Sequence, residues 1–395
     1  MKTVYIVGAG MNARSITGEG IDAVKPADAL FGSPRLLEAF AHLGKPSYPL
    51  YKPDDILREI QGSEKSAFAA LVSGDVGFFS GAAALYAALA GFDARLIPGI
   101  SSMSAFSAKL GIPWQGFKIV SMHGLSANIA EHVRRNPHVF CLTGGNAPEI
   151  GRALEACGLG DACVHVGENL GYENERILKM PARELCDAEF APLTILLIVN
   201  EDFDNSIRFG IPDDEFSRMD GIPMTKSEVR AVISARLNLF PGAVCYDIGA
   251  GTGSVTVEMA LAAYEGRVFA IEQNKGALPL ISENLLRFNI GNAAVVYGAA
   301  PASLDGLPAP DAAFIGGSGG ELAAIISALV KKNPRVRIVA SAVSYESAAI
   351  ALSSLESVFS DVEAMQINVS RSKAVGKLHM MTALNPVTIL SGGGL

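Results

Sequence analysis

At 395 residues, with 49% hydrophobic and 18% charged residues, the chain is long enough for two globular domains and too apolar for a disordered or coiled-coil protein. Its formal net charge of −8, from 40 acidic against 32 basic residues, argues against a nucleic-acid partner, because phosphate binding needs a concentrated basic surface. Cys141, Cys157, Cys163, Cys186 and Cys245 show no CxxC or Cys/His ligand spacing, so neither a disulfide framework nor a metal site is expected.

Residues 1–10 read as a strand and a tight turn, without the apolar segment and small-residue cleavage site of a secretory signal. The most apolar later stretch, 78–92, is shorter than the roughly 20 residues a bilayer span needs. A soluble cytoplasmic protein with no membrane partner is the expectation. Strand-like runs at 3–7, 67–73, 94–97, 118–122, 138–142, 163–168 and 194–200 alternate with alanine-rich helical stretches, the mark of a layered α/β domain over 1–203. The pattern breaks over 204–220, which is polar and interrupted by Pro212, and a linker is expected there. In 221–395, a helix at 226–238 and strands at 243–248, 267–271, 293–297, 312–315 and 335–340 predict a doubly wound parallel sheet. Two last strands near 362–368 and 379–390 suggest an antiparallel closing pair, followed by a flexible tail at 391–394.

In the first domain, Val7-Gly-Ala-Gly10 follows a strand, and Ala13 would complete a G-x-G-x-x-A fingerprint, but no strand ends in an acid at the expected distance. More informative are Leu71-Val-Ser-Gly-Asp-Val-Gly-Phe-Phe-Ser80, Pro98-Gly-Ile-Ser-Ser102 and Leu110-Gly-Ile-Pro-Trp114. They are followed by Val120-Ser-Met-His-Gly124, Leu142-Thr-Gly-Gly145 and Glu168-Asn-Leu-Gly171. In this order the segments resemble the tetrapyrrole methylases, a two-lobed (class III) methyltransferase fold that holds its cofactor between two α/β lobes. The resemblance implies an S-adenosylmethionine pocket at Gly8, Gly10, Ser73, Gly74, Asp75, Phe78, Ser101 and Ser102, mostly through backbone contacts. Val76 stands where the family's Gly-Asp-Pro loop has its proline. His123 and Asn169 are candidates for catalysis or ligand contact, and each has a structural alternative, a hydrogen-bonded histidine at a strand end or an asparagine in a turn.

In the second domain, Tyr246-Asp-Ile-Gly-Ala-Gly-Thr-Gly253 ends a strand and opens a helix whose free N–H groups can face a ligand. Glu272 ends the next strand, where a carboxylate can accept the hydroxyls of a ribose. A nicotinamide-dinucleotide site remains the competing reading of these residues, although Thr252 and Ser254 suit an amino-acid end better than a pyrophosphate. The combination resembles the class I S-adenosylmethionine-dependent methyltransferases, with their Rossmann-like fold. Asp311-Ala-Ala-Phe-Ile-Gly-Gly-Ser-Gly-Gly-Glu321 adds a second glycine cluster after the fourth strand, and no Asn-Pro-Pro-Tyr motif points to amino-methylation. With Pro223-Met-Thr-Lys-Ser-Glu-Val-Arg230 and Asn385-Pro-Val, the segment resembles the decarboxylating methyltransferases of corrin-ring biosynthesis. That resemblance implies cofactor contacts at Thr225, Asp247, Gly249, Gly251, Gly253, Glu272, Ala299 and Gly316, with Ser318 as a further catalytic candidate.

Nearly the whole chain is covered by these resemblances. They imply a bifunctional enzyme with one S-adenosylmethionine per domain that methylates C5 and C15 of a tetrapyrrole, precorrin-6B or a cobalt-bearing counterpart, and decarboxylates its C12 acetate. A polycarboxylate substrate calls for local cations. Lys226 and Arg230 lie four apart on one helix, and Arg371, Lys373 and Lys377 form the densest basic run near the C-terminus; a solvated basic surface is the alternative. Self-association into a homo-oligomer is implied by the relatedness of the second domain. Two other readings stay open: one half is a binding or assembly module without turnover, or the second half is an NAD-dependent oxidoreductase.

Overall fold

The computed structural model describes residues 2–122, 128–206 and 208–394, and the chain divides into two compact units. In the first, β1 (Thr3–Gly8), β2 (Ala29–Phe31), β3 (Ser47–Tyr48), β4 (Ala67–Val72) and β5 (Asp93–Ile97) form a parallel sheet in the order β3-β2-β4-β1-β5. Side chains of β1 alternate between two cores, with Val4 and Ile6 packed on one face and Val7 on the other. Such two-sided burial is why the strand reads as a continuous apolar run.

A second lobe is built on β6 (Lys118–Ser121), β7 (His138–Leu142), β8 (Cys163–Glu168), β9 (Arg176–Pro181) and β10 (Thr194–Val199), in the order β6-β7-β10-β8-β9. Only β6 and β7 pair in parallel. The helix Ser102–Leu110 packs on this sheet so closely that a Cβ on Gly167 would lie 2.7 Å from the Phe106 ring. The short strands β2 and β3 and the edge strand β9 went unread in the sequence. β2 and β3 are two or three residues long, and β9 is partly exposed along its length, so none carries a long apolar run.

The second unit contains β11 (Val244–Ile248), β12 (Arg267–Glu272), β13 (Ala293–Tyr297), β14 (Ala312–Ile315), β15 (Arg337–Ala342), β16 (Glu363–Ile367), β17 (Ser370–Val375), β18 (Leu378–Ala383) and β19 (Val387–Gly392). Seven of them form one sheet in the order β13-β12-β11-β14-β15-β19-β16, parallel from β13 to β15 and closed by the antiparallel β19 and β16. Strand order reverses between β11 and β14, so the loops leaving their carboxyl ends part there and open a crevice. Tyr246, Phe269, Ala313 and Ile338 face one core, and Cys245, Val268, Phe314 and Val339 face the other.

The structure departs from the sequence at three places. The run at 379–390 is two strands, because Pro386 has no N–H to donate and breaks the ladder, and β18 turns back on β17 through Gly376-Lys377 to make a separate hairpin. The expected tail at 391–394 is ordered. Ser391 pairs with Val339 and is 2% exposed, Gly393 donates its N–H to Asp361, and the Gly393 carbonyl accepts from Arg337. Strand pairing uses backbone only, so glycine-rich composition hides it. The second half of 204–220 is also packed: Ile211 and Phe216 are buried against Ile281 and Leu285. Among the described residues no helix is long and apolar enough to cross a membrane.

Candidate functional site

In the second unit the turn after β11 has φ of +76° at Gly249, +56° at Gly251 and +75° at Gly253, left-handed values that favour glycine at every other position. Gly253 caps the helix Ser254–Ala262. The turn meets the glycines that follow β14: the Gly316 and Gly317 N–H groups donate to the Ile248 carbonyl, and a Cβ on Gly249 would sit 2.6 Å from the Gly317 nitrogen. The two glycine clusters that stand apart in the sequence are therefore one surface.

Beside this surface lies a cavity of about 240 Å³. Thr225, Asp247, Gly249, Gly251, Glu272, Ala299, Gly316 and Ser318 all line it, whereas Gly253 stands behind it as the helix cap. Pro223 and Gly317, from the quoted motifs, also line it, together with Gln273 and Gly298, which the sequence did not mark. Position next to Glu272 was the only available signal for Gln273, and Gly298 contributes backbone, which carries no sequence mark.

Glu272 is held by the turn that it faces, with Oε2 accepting the Gly251 N–H at 2.8 Å and Oε1 the Asn274 N–H at 2.7 Å. Asp247 is 0% exposed. Its Oδ2 accepts the Thr256 hydroxyl, while Oδ1 has no partner among the described residues. Burial pushes its pKa up to about 7, with the nearby Glu272 charge adding in the same direction. A buried carboxylate oxygen left unpaired on a cavity wall calls for a donor from a ligand.

The first unit holds its own cavity, about 200 Å³, between the two lobes. Ser73, Gly74, Phe78 and Ser102 line it from one lobe, and Leu142, Leu170 and Thr194 from the other. Gly8, Gly10, Asp75 and Ser101 lie beneath it as scaffold. Gly10 and Gly74 exchange N–H···O bonds, and a Cβ on Gly8 would lie 2.7 Å from the Gly99 nitrogen. Asp75 accepts the Gly77 N–H through Oδ1 and the Gly99 N–H through Oδ2, and Ser101 caps its helix by accepting the Ser104 N–H. The loop is thus fastened by Asp75 without the proline that Val76 replaces. Asn169, with φ +47°, lines a neighbouring cavity beside Arg35 and Tyr172. His123 lies outside the described residues.

The candidate cations separate. Arg230 is 0% exposed, paired with Glu258 and Asp213, so it presents nothing to a substrate, and that expectation is withdrawn. A helix position four residues from Lys226 marks a shared face, but does not say whether the face looks outward. Arg371 is engaged by Glu228, Asp213 and Ser227. Lys373 and Lys377 extend on the exposed hairpin and make no ion pair among the described residues.

Residues 3–186 match the model of the tetrapyrrole (corrin/porphyrin) methylases, and residues 215–392 that of the precorrin methyltransferase domain. A precorrin-6Y C(5,15)-methyltransferase (decarboxylating) of Sinorhizobium sp is 30% identical over 397 residues, spanning 97% of this chain and 95% of its own. The chain belongs to this family. Precorrin-6Y C(5,15)-methyltransferases are enzymes of cobalamin biosynthesis, and the two units take the folds expected of them, a tetrapyrrole methylase fold followed by a Rossmann-like class I fold. The nicotinamide reading of the second glycine turn falls away with that membership. The second domain alone is 45% identical to a probable cobalt-precorrin-6B C(15)-methyltransferase (decarboxylating) of Pyrobaculum calidifontis, over 46% of this chain and 94% of that one. A crystal structure of a precorrin-6Y C5,15-methyltransferase from Geobacter metallireducens covers 47% of this chain and 97% of its own, at 39% identity and a TM-score of 0.45.

Proposed function

We propose that the chain methylates C5 and C15 of precorrin-6B, or of its cobalt-bearing counterpart, and removes the carboxyl of the C12 acetate. Each of the domains 1–203 and 221–395 works at its own S-adenosylmethionine site. The observation that carries this reading is the Asp247–Glu272 pair on the wall of a glycine-built cavity, one carboxylate with an unpartnered buried oxygen and the other at a strand end.

S-adenosylmethionine supplies a methyl group already activated on a sulfonium, so the protein has to bind, orient and exclude water rather than form a covalent bond. Glu272, fixed by two backbone N–H groups, keeps lone pairs for the adjacent hydroxyls of a ribose. Asp247 Oδ1 takes a donor from the amino-acid end. In the first domain Ser73, Gly74, Phe78 and Ser102 form the corresponding wall, on the scaffold held by Asp75. The single-domain relative is named for C15 methylation with decarboxylation, which supports giving those steps to the second domain and C5 to the first.

Lys226, Lys373 and Lys377 are the cations proposed for the macrocycle carboxylates, and Ser318, on the cavity wall, and Asn169 are the side chains proposed to meet substrate. The enzyme is placed in the cytoplasm, where its free cysteines stay reduced. Self-association is supported by the hairpin, whose Leu378 and Met381 are 72% and 66% exposed.

Mass spectrometry of products from metal-free and cobalt-bearing precorrin-6B tests the assignment with the full chain. Glu272→Ala is expected to deliver one methyl group and keep the acetate. Two methyl groups and loss of the carboxyl at the parent rate would sink the two-site reading.

A further inference from the structure

Arg230 is the largest fully buried side chain among the described residues, and all three of its guanidinium nitrogens donate to partners inside the second domain. Its Nε donates to Glu258 at 2.8 Å and one terminal nitrogen to Asp213 at 3.0 Å. The terminal nitrogens also donate to two main-chain carbonyls, Thr225 and Ile211, and the guanidinium lies 4.7 Å from the centre of the Phe216 ring. Glu258, likewise 0% exposed, accepts in turn from the Gly210 and Ile211 N–H groups and the Ser234 hydroxyl.

A buried ion pair is a poor route to stability, since well-packed apolar side chains of similar volume do as well or better. What an apolar residue cannot do is grasp carbonyls on two separate stretches of loop, which a rigid fork of five donors can. One of those carbonyls belongs to Thr225. Thr225 and Pro223 line the cavity of the second domain, and the Pro223 carbonyl oxygen lies 2.8 Å from the point where Gly251 would carry a Cβ. The chain of contacts runs from Glu258 and Asp213 through Arg230 to the Thr225 carbonyl and so to the wall facing the glycine turn.

We propose that Arg230 is a positioning residue for the methyl-donor site of the second domain, holding the Pro223 and Thr225 wall at the distance from the glycine turn that the ligand requires. The ligand's identity rests on the function proposed above; the clamp itself does not. Lysine at this position keeps the charge and loses the fork, so it can satisfy a carboxylate or a carbonyl but not the set.

Hydrogen–deuterium exchange on the full-length protein, titrated with S-adenosylhomocysteine, reads the wall and the turn separately. Arg230→Lys is expected to speed exchange in peptides covering 219–226 and to raise the ligand concentration that half-protects 247–254 by roughly tenfold. Half-protection of 73–80 should not move. Asp213→Asn, which leaves the guanidinium in place, should give a smaller shift of the same sign and serves if the lysine variant does not fold. Leu237→Ala removes a buried side chain from the same helix without touching Thr225, and is expected to lower Tm while leaving the half-protecting concentration alone. The clamp is overturned if Arg230→Lys and Asp213→Asn leave that concentration unchanged, or if Leu237→Ala at matched Tm raises it equally. Absence of protection at 247–254 in the parent protein would instead remove the donor site itself, and the clamp with it.

Discussion

Arg371 on β17 grips both carboxylate oxygens of Glu228, Nε to Oε1 at 2.8 Å and a terminal nitrogen to Oε2 at 2.6 Å. The guanidinium holds the Glu228 carboxyl down to a pKa of about 2, from an ordinary 4.5. A lowered folded-state pKa contributes stability above the unfolded value and loses it as pH falls through the folded one. The Tm deficit of Arg371→Ala is therefore expected to be present above pH 4.5 and to close as pH approaches 2. Its size should be small, since the two side chains are 39% and 40% exposed and water screens the pair. A pH-independent deficit in thermal scans would show that the contact is packing rather than charge. Because Nε and one terminal nitrogen are already engaged by Glu228, Asp213 and Ser227, the same variant is expected to leave substrate affinity unchanged.

Asp247 gives the opposite sign. Its folded pKa of about 7 lies above the ordinary 3.8, so its contribution is fully present below about pH 4 and is lost as pH rises through 7. At full burial the loss is on the order of 4 kcal/mol. Asp247→Asn should be more stable than the parent at pH 8 and lose that advantage by pH 4 in urea titrations. A ligand that brings a cation to Oδ1 should release a proton on binding near pH 7, and calorimetry in buffers of different ionisation enthalpy would detect it. No buffer dependence would contradict the pairing.

Removing Glu272 tests the second site alone. The carboxylate makes charge-assisted bonds, worth roughly 1.5–3 kcal/mol each, so Glu272→Ala should weaken donor binding in the second domain about ten- to hundredfold. Calorimetry with S-adenosylhomocysteine should then show one of two binding events weakened by that factor and the other intact.

In the first domain Asp75→Ala releases the Gly77 and Gly99 N–H groups together. The expected cost is about 1–3 kcal/mol in local stability, since the partly buried Gly99 N–H is left unpaired, while the exposed Gly77 N–H can turn to water. C5 methylation should fall while C15 methylation and decarboxylation proceed. Equal loss of both methyl groups would mean that Asp75 acts on the whole chain.

Gly249→Ala combines a strained φ with a Cβ placed 2.6 Å from the Gly317 nitrogen. Donor binding in the second domain is expected to be lost, with a penalty of at least 1–3 kcal/mol in stability. Unaltered donor affinity, measured by calorimetry, would show that the two glycine turns can move apart freely.

Much of the fold was legible because its signals are local. The apolar runs that became β1, β4, β10, β11 and β12 are buried on both faces, and a strand packed on both sides reads as a near-continuous apolar run, Asp247 and Glu272 standing at or near the carboxyl ends of β11 and β12 as the site's exceptions. The Gly249 to Gly253 turn announced itself because only glycine accepts three left-handed positions so close together. The ordered end of the chain was illegible for the converse reason: β19 runs through Ser391 and Gly392, where pairing to β15 needs no particular side chain.

Sequence by itself determined that two α/β units follow one another, that each carries a glycine turn at the end of a strand, and which acids stand near the second. Composition, periodicity and the conformational demands of glycine and proline act within a few residues, and a linear reading captures them. Tertiary structure decided which charges face a ligand. Lys226 caps the helix Ser227–Leu237 that carries Arg230, yet Arg230 is closed off by Glu258 and Asp213, which lie far apart along the chain and meet only when the helix Ser254–Ala262 packs beside it. Asp247 differs from any other aspartate only through the burial that strips it of water and leaves one oxygen unpaired. Burial and pairing are properties of the surroundings, and the surroundings exist only once the sheet has brought distant segments together.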